Sequence, residues 1–480
     1  MIVDRIYRWA RIQPDKPALI HNGSALSYAA FAGMIEARRA WFASKGAAAG
    51  GTALVLIGDL AAAWATVLGL RAAGLTTICA ASLADAAGLN IQDIGCIVYA
   101  EGEGAPHSDG DAFPRAMVFE LPVTLDRDPA PGASAGFTGP PTGGHILYTS
   151  GTTGQYKKVL CAAEQELARL TLIARSRGNT LDTVNHALSF GLWTTIGYTQ
   201  PLSVWLMGGV VVTDQRPSAL ERFFDHGVNK SIVLPPVLQK LIEFHGAAGE
   251  PLHACALSVS GGFCPRDVLE RTLSTLTDDL SVAYGSTECG SIARSRFSGP
   301  EDHDWLAPAL DRTIEIVDEF DRPLGDDQEG LLRVRLLEGD ANGYLDDEEA
   351  TARHFRGGYF YPGDLAVRRA DGRVRILGRF TDVLNIQGQK RAVAPLEQRL
   401  QSFLGIENVC LFSRLDGDGR DELIIALETE RTLTPVENEQ ILLNYRMYGS
   451  IRVVTLPRFP RTETGMQKIR RTDLRRMIAG

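Results

Sequence analysis

A chain of 480 residues that is 45% hydrophobic can bury a large core and divide into two or more domains, which excludes a disordered or disulfide-stapled protein. Its net charge of −9 leaves no electrostatic footprint for nucleic acid, although the stretch from Arg458 to Arg476 is basic, as a solvated helix face or a polyphosphate site would be. Seven cysteines (79, 96, 161, 255, 264, 289 and 410) without CxxC spacing, and nine histidines without HxxxH or HExxH, predict a reduced, cytoplasmic protein with no tightly held transition metal.

The first 45 residues read as two helices around a hairpin at Asn22-Gly23, with no long apolar centre and hence no signal peptide. ALVLI (53–57), a helix through 61–74, and TTICA (76–80) alternate as a parallel sheet does, and IGCIVYA (94–100) adds a buried strand. Residues 101–143 are rich in Gly, Pro and Asp and predict loops. They lead to ILYTSGTTGQYKKV (146–159), an apolar strand running into Ser, Thr and Gly and then two lysines, with a helix-like segment after it. Small residues let backbone N–H groups curl around an anion, so this loop suits phosphate, although plain surface turns share such composition. Its spacing is not that of the GxxxxGK[ST] nucleotide loop.

The uncharged stretch Ala187 to Thr213 is long enough to cross a bilayer, but Gly197, Gln200, Pro201 and Gly208-Gly209 interrupt it. A buried helix followed by a core strand, GGVVVT, is expected there, and no membrane span. SALERFFDHG (218–227) is predicted helical, and further strand and helix segments follow to SVAYGSTECGS. From about 310 the pattern turns to short β segments, with a hairpin at Asp371-Gly372. A domain boundary is expected near Arg379, before a region with its own strands and helices.

Four later segments carry ligand-type residues. SGG (260–262) offers close backbone approach after a strand. YGSTE (284–288) ends in Glu288, a hard oxygen ligand suited to Mg²⁺ beside phosphates. YFYPGDL (359–365) presents Asp364 as an acceptor for ribose hydroxyls, and PRTETGMQKIRR (460–471) is a Gly-containing loop with a basic tip. Singly, each is an ordinary turn or surface charge.

In this order, YTSGTTG (148–154), VLPPVLQKL (233–241), SGG, YGSTE, GYLDDEEATARHF (343–355), GYFYPGD and GRFTD (378–382) resemble the adenylate-forming superfamily of acyl- and aryl-CoA synthetases, adenylation domains and luciferases. The resemblance implies an α/β fold: a large N-terminal domain of parallel-sheet subdomains plus a small β-barrel (1–378), a hinge (379–382) and a mobile α+β C-terminal domain (383–480). It implies ATP and Mg²⁺ as cofactors, a small carboxylic acid as substrate, and CoA or the phosphopantetheine of an acyl carrier protein as thiol. Thr149, Ser150, Gly151, Thr152, Thr153, Gly154 and Lys157 would cradle the ATP phosphates. Tyr284, with Gly285 and Ser286, would lie by adenine, Gly261 and Gly262 would flank nucleotide and carboxylate, and Thr287 with Glu288 would hold the α-phosphate and Mg²⁺. Asp364 would bind ribose, with Arg379 close by.

The chain departs from the family pattern in places. Tyr156 and Lys158 stand where the loop lysine's Pro and Gly neighbours belong, and Thr381 with Asp382 blurs the hinge acid. Met466 occupies the place of the C-terminal catalytic lysine, but a two-residue insertion restores KIxRxxLR from Lys468, which is therefore expected to bridge carboxylate and α-phosphate. Amino-acid-activating members carry Asp in an SFD motif, where this chain has Ser189-Phe190-Gly191; an acid without an α-amine is expected. Phe190, Trp193, Trp205 and Met207 are candidates to line its pocket. An amino-acid-activating stand-alone enzyme and a non-catalytic acyl- or nucleotide-binding relative remain the alternatives.

Overall fold

The computed structural model describes every residue except 48–49, 92, 103–112, 123, 125–142, 151–155, 188–189, 248–251, 381–382, 387–388, 416–420, 447–449, 462–468 and 480. Its order is set by two mainly parallel sheets. The six-stranded one runs Met117–Leu121, Ile94–Ala100, Thr52–Leu56, Thr76–Cys79, His145–Ser150, Tyr156–Cys161. All its pairs are parallel except the last, where Thr149 faces Lys157 and Ser150 faces Tyr156 across an antiparallel register. The nine-stranded sheet is parallel through its centre, and Leu280–Ser286 pairs antiparallel with Gly290–Arg296 near one edge.

Alternating strand and helix segments produce this architecture because each crossover helix covers a sheet face that would otherwise be wet. The main core lies among helices Ile2–Ile12, Tyr28–Ser44, Leu60–Ala72 and Thr195–Leu206, where Phe31, Trp64, Tyr198 and Trp205 are fully buried. Asn22 and Gly23 both adopt positive φ (50° and 84°), as the expected hairpin between Pro17–His21 and Ser24–Ser27 requires. The uncharged stretch forms helix Thr195–Leu206 and strand Val210–Thr213. Among the described residues no helix is long and apolar enough to cross a membrane.

One expected element differs. SALERFFDHG is a run of turns ending in the short 3₁₀ helix Asp225–Gly227, not an α-helix. His226 sits at φ 63°, a left-handed conformation that stops a helix, and Phe223 is buried to anchor the turns in the second core.

Residues 314–379 build an antiparallel sheet of six strands, with the expected turn at Asp371-Gly372. Beyond it, a two-stranded hairpin, a three-stranded sheet and helices Ala394–Leu404, Pro435–Tyr445 and Arg471–Ala479 follow, and the first two helices share a separate core with that sheet. All seven cysteines are free and buried, and burial pushes the Cys255 and Cys264 thiols up to about 12.

Candidate active site

A cleft of about 1150 Å³ opens between the parallel sheets, the antiparallel sheet and the start of helix Ala394–Leu404. Thr149, Lys157, Phe190, Trp193, Gly261, Gly262, Tyr284 through Glu288, Asp364 and Arg379 all line it. Segments spread over 230 residues of sequence therefore converge, because parallel strands deliver their C-terminal loops to one edge of each sheet. Ser150 ends the strand His145–Ser150; Gly151, Thr152, Thr153, Gly154, Thr381, Asp382, Met466 and Lys468 lie outside the described residues.

The loop carrying Glu288 is held by its backbone. A side chain at Gly285 would place its Cβ 2.3 Å from the Gly290 carbonyl oxygen, so the hairpin closes this tightly only with glycine. Arg169 donates to the Thr287 carbonyl, and Arg312 donates to the Cys289 carbonyl while Asp340 receives its two terminal nitrogens at 2.5 and 2.8 Å. The Ala341 N–H donates to the Glu288 carbonyl at 3.0 Å. Three successive carbonyls are thus tied down, which aims the Glu288 carboxylate. That carboxylate is 6% exposed and accepts the Tyr344 hydroxyl at 2.6 Å. Burial, reinforced by Glu288, raises the Tyr344 pKa and keeps the phenol a donor.

Lys157 projects from the facing strand. Its Nζ lies 2.8 Å from His354 Nε2 and 4.8 Å from the centre of the Tyr344 ring. His354 Nδ1 lies 2.7 Å from the Tyr361 carbonyl, so the ring carries its proton on Nδ1 and accepts from Lys157 on Nε2. Burial lowers the pKa of both groups, and the Glu288 carboxylate pulls that of Lys157 back up. Lys158, next in the strand, points to the other face, where Asn90 O and Asp346 receive its ammonium at 2.8 and 3.1 Å. The lysine standing in the family's glycine position is therefore a structural group on the opposite side.

Asp364 is 5% exposed and accepts the Tyr284 hydroxyl, while Arg379 Nε stands 3.2 Å from its other oxygen. Arg379 also donates to the Pro362 carbonyl at 2.6 Å. Burial and the adjacent carboxylate hold the Tyr284 pKa far above a free phenol's, which fixes the ring by its hydroxyl end. Two pocket expectations fail: Trp205 is wholly buried between Phe31 and Trp64 with its indole N–H on the Ala18 carbonyl, and Met207 is 36% exposed away from the cleft. Helical periodicity explains both, since only one face of Thr195–Leu206 meets the cleft.

The donor set suits Mg²⁺. Among the described residues no three His, Cys, Asp or Glu side chains cluster, and a single carboxylate matches an ion that keeps most of its water and phosphate ligands. His354, Tyr344, Arg169 and Arg312 escaped the sequence reading. GYLDDEEATARHF signalled the first two as a motif, whereas the arginines had no local signal.

This arrangement gathers on one cleft the described residues that the sequence resemblance assigns to a nucleotide and an acid. A family model described as AMP-binding enzyme matches residues 139–345. A (7a-methyl-1,5-dioxo-octahydro-1H-inden-4-yl)propanoyl:CoA ligase of Mycobacterium tuberculosis is 28% identical over 69% of this chain and 66% of its own. Probable acyl-activating enzyme 8 of Arabidopsis thaliana is 25% identical over 67% and 63%, and indigoidine synthase of Dickeya dadantii 26% over 64% and 21%. The matches thus span less than two thirds of those curated relatives' lengths. In fold, the chain is similar to O-succinylbenzoate coenzyme A synthetase from Bacillus subtilis in complex with AMP (TM-score 0.82, 20% identity, 98% of each chain). It is likewise similar to ATP-bound MatB from Rhodopseudomonas palustris (TM-score 0.80, 18% identity, 98% of each chain).

Proposed function

We propose that the protein activates a carboxylic acid with ATP and passes the acyl group to a thiol. The observation that carries this reading is the convergence of Lys157, Glu288 and Asp364 on one cleft roomy enough for a nucleotide and a small acid. A carboxylate oxygen would attack the α-phosphorus as the bond to the β-phosphate breaks and pyrophosphate leaves. Such a transfer needs positioning and charge neutralisation more than covalent help.

In this reading Asp364 accepts from the ribose hydroxyls and Tyr284 lies against adenine. The phosphate loop from Thr149 through Gly154 to Lys157 takes the β- and γ-phosphates, and Glu288 with Thr287 takes Mg²⁺ and the α-phosphate. Mg²⁺, when bound, offsets phosphate charge. Gly261 and Gly262 leave room for the substrate carboxylate, with Phe190 and Trp193 walling the acid. Lys468 is assigned from sequence pattern alone as the bridge between carboxylate and α-phosphate. The C-terminal domain would turn about 379–382 between the half-reactions, so that a thiol sulfur can attack the acyl carbon and AMP depart.

The acceptor is CoA or a carrier phosphopantetheine: a relative named as a CoA ligase and bacitracin synthase 1 match similar shares of the chain, 69% and 67%. Seven unpaired cysteines fit a reducing compartment. ATP–pyrophosphate exchange across a panel of fatty, aryl, dicarboxylic and amino acids tests the reading. Exchange with at least one acid, lost on Lys468→Ala, is expected; exchange with none would sink it.

A further inference from the structure

Helix Ala163–Arg177 contributes Ile173, Ser176 and Arg177 to the lining of the cleft. These positions are spaced i, i+3, i+4, so one face of the helix looks into the cavity. The other arginines that line the cavity have carboxylate partners: Arg353 has Glu349, Arg356 has Asp321, Arg375 has Asp304 and Arg379 has Asp364. Arg177 is half-buried, and among the described residues no carboxylate or hydrogen-bond acceptor is recorded for its guanidinium.

Its charged neighbours make matters worse. Lys230 and Arg294 both stand close enough to Arg177 for repulsion to register. Lys230 is fixed on the carbonyls of Arg177 and Gly178 at 2.8 and 2.7 Å, and Arg294 donates to the Ser176 carbonyl at 3.2 Å. Asp279 offsets the charge of Lys230 and Arg294. Burial and Arg294 together lower the Arg177 pKa to about 9. A cation held partly out of water among like charges is unstable unless an anion joins it.

A second, independent observation points the same way. The packed neighbour helix Thr195–Leu206 presents Gln200 to the same cavity, 3% exposed, with neither its amide nitrogen nor its amide oxygen partnered by protein. Thr195 Oγ1 and Trp193 Nε1, also on the lining, are buried and likewise without a protein partner. An unsatisfied buried polar atom is costly, so a wall that carries several is built for something polar.

We propose that Arg177 and Gln200 form a subsite for a second carboxylate on the acid, and that the protein activates dicarboxylic acids at the end remote from this subsite. The inference rests on the adenylation reading above and narrows its substrate class. A guanidinium grips a carboxylate in two parallel hydrogen bonds, the Gln200 amide adds a donor, and Phe190 and Trp193 cover the spacer.

The test is ATP–pyrophosphate exchange with short aliphatic and aromatic dicarboxylic acids, each set against its own monomethyl ester. Wild-type protein should favour a diacid over its ester in kcat/KM by about ten- to a hundredfold, the usual worth of charge-assisted hydrogen bonds. Arg177→Met should collapse that ratio about tenfold or more, while KM for ATP moves little; Arg177→Lys should recover part of it. Gln200→Leu, whose effect should be smaller and in the same direction, serves if Arg177→Met does not fold. Esters or simple monoacids turned over as well as the diacids would overturn the subsite and leave adenylation standing. No exchange with any acid would overturn both.

Discussion

Helix Ala163–Arg177 meets an arginine near each end, and the two are treated in opposite ways. Near its start, Arg71 is fully buried, yet its two terminal nitrogens reach Glu166 at 2.6 and 3.1 Å and one also donates to the Tyr198 hydroxyl at 2.5 Å. Tyr198 in turn donates to Glu166 at 2.9 Å and stacks on His145, 3.9 Å between ring centres. At the other end Arg177 has a side facing the cleft and no acceptor of its own among the described residues. The contrast teaches where each charge belongs. Arg71 completes the protein's interior, whereas Arg177 awaits a partner from outside.

The largest break of this comparison is Glu166→Leu, which strands Arg71 in the core and should cost about 3–5 kcal/mol in urea unfolding. Adding Arg71→Met should recover most of that loss, since a buried pair replaced together by apolar groups is often near neutral. Removal of Arg177 should not lower the free energy of urea unfolding and should raise it, since it relieves a half-buried cation of its like-charged neighbours. A loss comparable with that of Glu166→Leu would show Arg177 to be a structural group.

Asp364→Asn probes a third arginine, Arg379, whose carboxylate partner belongs to the proposed nucleotide site. KM for ATP should rise about ten- to a hundredfold, the cost of weakening charged hydrogen bonds, with little change in KM for the acid. A matching rise in both would place Asp364 outside the ribose site.

The mildest test uses acid. Burial lowers the His145 pKa to about 3 and that of His186 below its ordinary value. Both rings are held neutral in the fold, so their contribution is intact above about pH 6.5 and falls away as pH drops toward their folded values. Each such group gives a slope of about 1.4 kcal/mol per pH unit within its window. His145→Gln should flatten the decline measured by urea unfolding between pH 6.5 and 5, and an unchanged slope would break the assignment.

Much of this was legible from local signals. Asn22-Gly23, the βαβ alternation and the glycine-rich loops describe one neighbourhood each, and a sequence records neighbourhoods well. Glu288 and Asp364 could be picked out because each ends a short motif with a chemical reason for its carboxylate. The clamp on Thr287 and Cys289 could not, since Arg169 and Arg312 lie 118 and 23 residues from the carbonyls they hold and look like ordinary surface cations. Trp205 misled for a related reason: an aromatic residue on a helix declares burial without declaring which face. SALERFFDHG misled because its residues favour a helix one by one, while His226 and the anchored Phe223 decide the outcome together.

Cys264 closes the account. It stands in the cleft wall, 3% exposed, and its thiol is held protonated far above neutral pH. An acyl-adenylate is an indiscriminate acyl donor, and any thiolate beside it would capture the group and inactivate the catalyst. Under the proposed function, keeping its one cleft-lining thiol among the described residues buried and un-ionised would leave the incoming thiol without a rival from the protein's own chain and guard against self-acylation.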